Sequence, residues 1–160
     1  MVPVHPITVE AFAPYGEVLG VRRSEDREAA IAGWTEIAAG RYGGEVAARS
    51  LALPARAPEL AFIEAHPNSP QLSVSFDSPW IVTVLPGIAP GTTVDGAADV
   101  SSARSFLVPP EVGVILRAGL WHGPMTCLRD TAALVIFRAG VVDEWTELDS
   151  AIPLHLPPAD

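Results

Sequence analysis

Short apolar segments that end at Gly or Pro recur along the chain, and they constrain its fold more than any other feature. Apolar and polar residues alternate in LSVSF (72–76) and EVAARSLAL (45–53), which is the period of a strand with one solvated face. The uniformly apolar segment IVTVL (81–85) is typical of a strand buried on both faces. About nine or ten such strands with little helix predict an antiparallel β-sandwich or barrel.

Helical structure is expected at one or two places only. Thr8 is a suitable N-cap for a short turn that closes at Gly16, and the charged, Ala-rich segment 22–33 predicts a surface loop or a short helix. A strand is also predicted at 34–38, and a turn-rich loop, expected to be mobile, at 86–102. The C-terminal tail predicts one helical turn followed by a segment that lies over a neighbour. Without a repeat or a linker, the chain is predicted to be one domain, residues 1–160.

Charge and composition exclude several functions. The net charge of −9 and the pI near 4.8 argue against binding to nucleic acid or to an anionic membrane surface. All 10 basic residues are Arg, so Schiff-base catalysis by a lysine is excluded. Cys127 is the only cysteine, which forbids an internal disulfide and predicts a reducing, cytoplasmic compartment. The first residues lack the charged and apolar regions of a signal peptide.

The stretch 106–124, FLVPPEVGVILRAGLWHGP, contains the best candidate for chemistry. His122 lies between Trp121 and a Gly-Pro pair, at the expected end of a strand. An imidazole at that place can act as general base, general acid or metal ligand near neutral pH. The alternative is a structural histidine that hydrogen-bonds to the backbone.

A second set of polar residues occurs near the middle of the chain. Glu64 and His66 are two residues apart, so on a strand both side chains project from the same face. They can thus converge on one side of a barrel wall, or form a surface pair at a strand end. Gln71 is a candidate amide donor or ligand, with polar surface as the alternative.

Two segments, EAHPNSPQ (64–71) and GVILRAGLWHGP (113–124), resemble the signature segments of the ureidoglycolate lyase family. TVEAFAPYGEVL, ARSFLVPPEVGV and FRAG (137–140) resemble its start, the lead-in to its second segment and the end of its last strand. The resemblance implies a cupin-like β-barrel, often dimeric, that cleaves ureidoglycolate to glyoxylate and urea. In that elimination a base takes the hydroxyl proton and an acid protonates the leaving nitrogen, while a cation binds the carboxylate. A divalent metal is a cofactor in some members.

The chain also departs from the family pattern. The residues that agree with it are Glu64, His66, Pro67, Gln71, Trp121, His122 and Pro124. Gly123 stands where a second histidine is usual, Ile115 and Leu116 replace an Asn-Tyr pair, Ala65 replaces an Arg, and Phe137 replaces an Asp. If these positions line the cavity, it is drier than in the family, which predicts a larger or less polar substrate in a specialised biosynthetic pathway.

The resemblance and the residue types together predict the following roles. The catalytic residues are expected to be His122, His66 and Glu64, and the substrate-binding residues Gln71, Arg117, Trp121, Ile115 and Phe137. No bound metal is expected; if one is present, His66, Gln71 and His122, and also Glu64, are its candidate ligands.

The predicted partner is a small-molecule substrate, and the predicted assembly is a homodimer. The predicted reaction is an elimination, dehydration or isomerisation at a carbon that bears a heteroatom. The alternatives are cleavage of ureidoglycolate itself, a non-catalytic small-molecule-binding cupin, and a scaffold subunit without a pocket.

Overall fold

The computed structural model describes residues 1–20 and 42–158. The expectations for 22–33 and 34–38 lie outside the described residues. In chain order the elements are β1 Val2–Pro6, α1 Val9–Phe12, β2 Gly16–Leu19, β3 Val46–Leu53, β4 Glu59–Ala65, β5 Gln71–Ser75, β6 Trp80–Val84, β7 Arg104–Val108, β8 Gly113–Leu116, β9 Thr126–Cys127, β10 Thr131–Arg138 and β11 Glu144–His155. No helix in this described part has the length and apolar character needed to cross a membrane.

The strands form two sheets, and the predicted all-β, cupin-like barrel is confirmed. One sheet has the order β4-β11-β1-β7-β6-β9, and the other has the order β2-β8-β5-β10-β3. Between the sheets lies an apolar core made of Phe12, Trp80, Val82, Val84, Phe106, Val108, Val114, Leu116 and Cys127. The predicted N-cap is also confirmed, since the Thr8 hydroxyl accepts a hydrogen bond of 3.1 Å from the Ala11 amide.

Two segments differ from what the sequence predicts. The strand β1 is parallel to both of its neighbours, β7 and β11, so the barrel is not wholly antiparallel. The tail forms the 12-residue strand β11 instead of a helical turn, because it completes the pairing of β1 and β4.

The turn-rich loop predicted at 86–102 is confirmed, since no helix or strand lies among the described residues between β6 and β7. It packs Ile88, Val94 and Val100 against a second apolar cluster, which includes Ile63, Ala65 and Trp121.

Strand pairing fixes which residues face the space between the sheets. Gln71 pairs with Phe137, Ser73 with Val135, and Val135 in turn with Arg49. Because paired residues in antiparallel strands place their side chains on one face of the sheet, Gln71, Phe137 and Arg49 all face the same side.

Candidate active site

His122 is held in place by its backbone. It forms isolated bridges to Glu64 and to Val84, so it lies between β4 and the end of β6. The Glu64 amide donates to the His122 carbonyl over 2.7 Å, and the His122 amide donates to the Glu64 carbonyl over 2.8 Å. Residues that exchange both backbone hydrogen bonds place their side chains on the same face. The Glu64 and His122 side chains therefore meet, with Oε1 and Nε2 3.5 Å apart.

The His66 ring completes the group. It follows β4 directly, and its carbonyl accepts hydrogen bonds from the Gly119 and Ser69 amides at 2.9 and 3.2 Å. Its ring centroid lies 5.3 Å from that of His122, and the two planes are inclined by 59°. The structure thus brings Glu64, His66 and His122 together, although 56 positions separate the two histidines.

Each histidine has one ring nitrogen held by a protein oxygen. His122 Nδ1 lies 2.8 Å from the Leu120 carbonyl oxygen, which can only accept a hydrogen bond, so Nδ1 is the donor. His66 Nδ1 lies 2.9 Å from Asp143 Oδ1, a charge contact that is not aligned as a hydrogen bond but that favours a proton on Nδ1. In both rings Nε2 is therefore the nitrogen left for a proton, a metal or a substrate.

The surroundings of these residues favour the charged form of the Glu64 carboxylate and the neutral form of the His66 imidazole. Burial raises the pKa of Glu64, but the contact with His122 and the charges of His122 and His66 outweigh it and hold that pKa below its ordinary value. Burial lowers the pKa of His66, and so does His122, against the opposite effects of Glu64 and Asp143. Near neutral pH both groups are proton acceptors.

A cavity of about 220 Å³ opens beside Glu64 and His66, between the two sheets. His122 is 2% exposed and is not among the residues that line it. One half of its lining is apolar, with Leu51, Leu53, Phe62, Val135 and Phe137 among its residues. The other half is polar and comprises Arg49, Arg56, Glu64, His66, Gln71 and Asp143. The expectation of a dry cavity therefore needs correction, because several charged groups line it.

Gln71 and Phe137, two of the residues predicted to bind substrate, line this cavity. Gln71 is 7% exposed, and its Nε2 donates to the Ser73 hydroxyl over 3.1 Å. Its Oε1 is buried and accepts no hydrogen bond from any described residue. Phe137 is 6% exposed and covers one wall.

Ile115, Arg117 and Trp121 do not line the cavity, which corrects their predicted role in substrate binding. Side chains alternate along a strand, and the neighbours of Ile115 on β8 face the core, so Ile115 points outward, against Leu72 and Ile136. Arg117 lies on the same outer side and donates to the Ala13 carbonyl over 2.9 Å. Trp121 packs into the second apolar cluster, behind the strand that carries His122.

Most of the family departures also lie away from the cavity. A β-carbon at position 123 would meet Leu60 and Thr83. Ala65 faces the second apolar cluster. Since successive side chains of an extended segment point to opposite faces, position 123 points away from the side on which His122 meets Glu64.

Three cavity residues were missed by sequence reasoning. Asp143 stands just before β11, and no local pattern links it to His66. Arg56 lies in a Pro-rich connection. Arg49 carried a usable signal, since it stands two residues before Leu51 in an alternating strand, and a charged residue in the apolar row of a strand indicates a functional position.

Glu64, His66 and His122 form a set that fits a divalent metal. One ligand atom from each lies within 4.8 Å of the others. The remaining ring nitrogen of each histidine is held by a carboxylate or a backbone carbonyl, which is the usual support of metal-bound histidines. The Nε2 of His122 and the Oε1 of Gln71 are buried and have no hydrogen-bond partner among the described residues. Glu64, which the sequence adds only after His66, Gln71 and His122 as a candidate ligand, thus belongs to this set.

The fold and this site define a cupin-like barrel enzyme with a carboxylate and an imidazole on the wall of one cavity and a second, buried imidazole beside them. The family model for ureidoglycolate lyase matches residues 1–153, and the chain belongs to that family, whose members are lyases.

Three relatives named ureidoglycolate lyase show the extent of the similarity. The one from Burkholderia mallei is 27% identical over 86% of this chain and 81% of its own length. The relative from Brucella ovis is 27% identical over 90% and 86%, and the one from Chelativorans is 26% identical over 95% and 94%.

Solved structures with a similar shape include an oxalate decarboxylase and RmlC from Streptococcus suis in complex with dTDP-D-xylose. The first is 14% identical with a TM-score of 0.44, covering 88% of this chain but only 29% of its own. The second is 12% identical with a TM-score of 0.46, covering 84% and 68%.

Proposed function

We propose that the protein cleaves the carbon–nitrogen bond of a small carbinolamide, in an elimination of the ureidoglycolate lyase type. The observation that supports it best is the convergence of Glu64, His66 and His122 beside one cavity. The reaction turns a carbon that bears a hydroxyl and an amide nitrogen into a carbonyl. Such a step needs groups that move protons, placed within reach of a single carbon.

The proton balance of this elimination suits a pair of adjacent groups. The hydroxyl loses one proton as the C=O bond forms, and the leaving nitrogen gains one proton as the C–N bond breaks. No net proton is taken up, so one pair that passes a proton from oxygen to nitrogen is sufficient. Glu64 is ionised and lies 3.5 Å from His122 Nε2, so these two residues form that pair, and His66 orients the substrate or shares the proton.

The substrate proposed here keeps the carbinolamide but carries a less polar group than urea on nitrogen. Leu51, Leu53, Val135 and Phe137 form an apolar wall, and such a wall offers no partners to the amide hydrogens of urea. Such a substrate fits an enzyme of a specialised biosynthetic pathway better than an enzyme that releases nitrogen as urea. Ureidoglycolate itself is the second candidate, favoured by the polar half of the cavity and by the names of the relatives.

The proposal is tested by measuring the rate at which the protein releases glyoxylate from two different substrates. Purified protein is given ureidoglycolate and, separately, an N-acyl-2-hydroxyglycine with an alkyl chain. We expect faster turnover of the N-acyl compound, lost in His122→Ala. Turnover of ureidoglycolate alone would overturn the altered substrate and leave the elimination standing, whereas turnover of neither compound would overturn the elimination.

A divalent metal is compatible with this proposal. Glu64, His66 and His122 would hold it, with Gln71 as a further oxygen donor. When bound, a metal supplies positive charge that stabilises a developing oxyanion. The residues keep their own tasks, which are to bind and orient the substrate and to move the proton.

The proposal includes a single cupin-like domain, residues 1–160, that works in the cytoplasm as a homodimer. The presence of one buried cysteine supports a reducing compartment. Val142 and Trp145, which are 57% and 65% exposed, support a surface that a second copy covers. Sedimentation equilibrium tests the dimer: Trp145→Glu is expected to shift the protein toward the monomer, and a wild-type monomer at high concentration would contradict it.

A further inference from the structure

Arg49 and Arg56 line the same cavity as Glu64 and His66. Within the described ranges, no carboxylate forms an ion pair with either arginine. The chain has 19 acidic residues against 10 basic ones, so two arginines that face a cavity without a carboxylate partner call for an explanation. Arg104, Arg117 and Arg129, by contrast, each donate to a backbone carbonyl. The donors of Arg49 and Arg56 are available to a ligand.

Phe137 determines the orientation of Arg49. The guanidinium carbon of Arg49 lies 4.6 Å from the centroid of the Phe137 ring. All five N–H donors of a guanidinium lie in its plane, so a ring that covers its face leaves the edge free for a carboxylate. Phe137 is buried, and its ring also lies 6.4 Å from the His66 ring. The Phe137 ring therefore contacts both the Arg49 guanidinium and the His66 imidazole.

Strand register keeps this arrangement fixed. Arg49 pairs with Val135, which pairs with Ser73, and the next inward row contains Phe137 and Gln71. Arg49 thus stands on β3, the edge strand of a continuous sheet, and not on a loop. Its distance to the Gln71 row is set by the backbone ladder.

We propose that Arg49, oriented by Phe137, and Arg56 form the site that binds the carboxylate of the substrate. Guanidinium and carboxylate match in a two-point, charge-assisted contact, and the contact selects small substrates that carry an anionic group. This inference rests on the proposed elimination in one respect. If the substrate is a carbinolamide, its reacting carbon lies between the two arginines and the pair formed by Glu64 and His122.

Binding of an unreactive probe tests the site without catalysis. Glycolate is titrated into the protein by calorimetry at low salt, and glycolamide, its neutral counterpart, serves as the control ligand. We expect glycolate to bind wild type, Arg49→Ala to weaken it by about tenfold or more and Arg56→Ala by several-fold, and glycolamide not to bind. The matched control Arg104→Ala, whose guanidinium donates to the Ser102 and Ala103 carbonyls, is expected to bind glycolate like wild type.

Two further variants separate charge from geometry. Arg49→Lys keeps the charge but loses the planar fork, so it is expected to recover only part of the affinity. Phe137→Leu keeps the apolar wall but removes the ring, so it is expected to weaken glycolate several-fold. Thermal unfolding of each variant is recorded so that a loss of folding is recognised.

The outcomes distinguish this site from the elimination. Equal binding by wild type, Arg49→Ala and Arg56→Ala, or equal binding of glycolate and glycolamide, or no binding of glycolate to wild type, overturns the carboxylate site. If glycolate binding depends on Arg49 but no carbinolamide is turned over, the site is supported and only the proposed elimination fails.

Discussion

Glu64 and His122 are joined by two reciprocal backbone hydrogen bonds of 2.7 and 2.8 Å, and their side-chain atoms Oε1 and Nε2 lie 3.5 Å apart. The backbone contact does not depend on the side chains. Substitutions at either residue therefore remove chemistry while they leave the bridge between β4 and the end of β6 in place.

Glu64→Gln and His122→Ala are each expected to lower kcat by about 10²–10⁴-fold, because each removes one half of the pair that moves the proton. The double variant is expected to cost little more than either single one, since the two residues act as a unit. Steady-state kinetics on the preferred substrate measure this. Glu147→Gln, an exposed carboxylate on β11, is the control. Additive losses in the double variant would contradict a shared proton.

The unfolding free energy is expected to fall as the pH drops below about 6.5, because of His66. Its folded pKa lies below the ordinary value of 6.5, so in that window the unfolded chain binds the proton more readily than the folded one. Glu64, whose pKa also lies below its ordinary value of 4.5, contributes a similar loss only at lower pH. Urea unfolding at about pH 7.5 and about pH 5.5 measures the difference.

His66→Gln provides the check on this assignment. Its unfolding free energy is expected to depend less on pH between these two values than that of wild type. His155→Gln, in which the replaced side chain is exposed, is expected to keep the wild-type dependence. Parallel curves for wild type and His66→Gln would show that another group is responsible.

Sequence reasoning identified the faces of single strands better than the pairing between strands. The spacing of Glu64 and His66 predicts a shared face, and the Gly-Pro pair after His122 predicts that this residue lies at the end of a strand. Alternation alone does not say which face of β8 meets the cavity, so Ile115 and Arg117 were assigned to the wrong side. The charge of Arg49 in an apolar row is a local signal of function, but which cavity Arg49 reaches depends on the pairing of β3 with β10, and the local sequence does not specify that pairing.

Gln71→Met is expected to leave stability unchanged or to raise it by up to about 1 kcal/mol while it lowers kcat/KM. The Oε1 of Gln71 is buried and has no hydrogen-bond partner among the described residues, and an unpaired buried oxygen destabilises the folded state. Methionine has a similar volume and no such oxygen. Urea unfolding and kinetics measured on one preparation test both parts. A loss of several kcal/mol would show that Gln71 has a structural role instead.

A divalent metal is expected to raise the thermal unfolding temperature of wild type and to have no such effect in His66→Ala or His122→Ala. Binding to the folded state alone stabilises it by about 2.7 kcal/mol at a free metal concentration of 100 times Kd. Ni²⁺, Zn²⁺ and Mn²⁺ are each added to chelator-treated protein and followed by calorimetry. His5→Ala, with its exposed side chain, is the control. Equal shifts in all variants would place the metal elsewhere.

Gly123→Ala is expected to lower the unfolding free energy by about 1–3 kcal/mol through overpacking. A β-carbon at this position would collide with the Cδ1 atom of Leu60, which is 2% exposed and has little room to move. In a double-mutant cycle with Leu60→Ala, the coupling is expected to be favourable, because the smaller side chain makes space for the methyl group. The cavity lies on the other side of this segment, so kcat and metal affinity of the folded Gly123→Ala protein are expected to match wild type. A large fall in kcat without a loss of stability would instead place residue 123 beside the substrate.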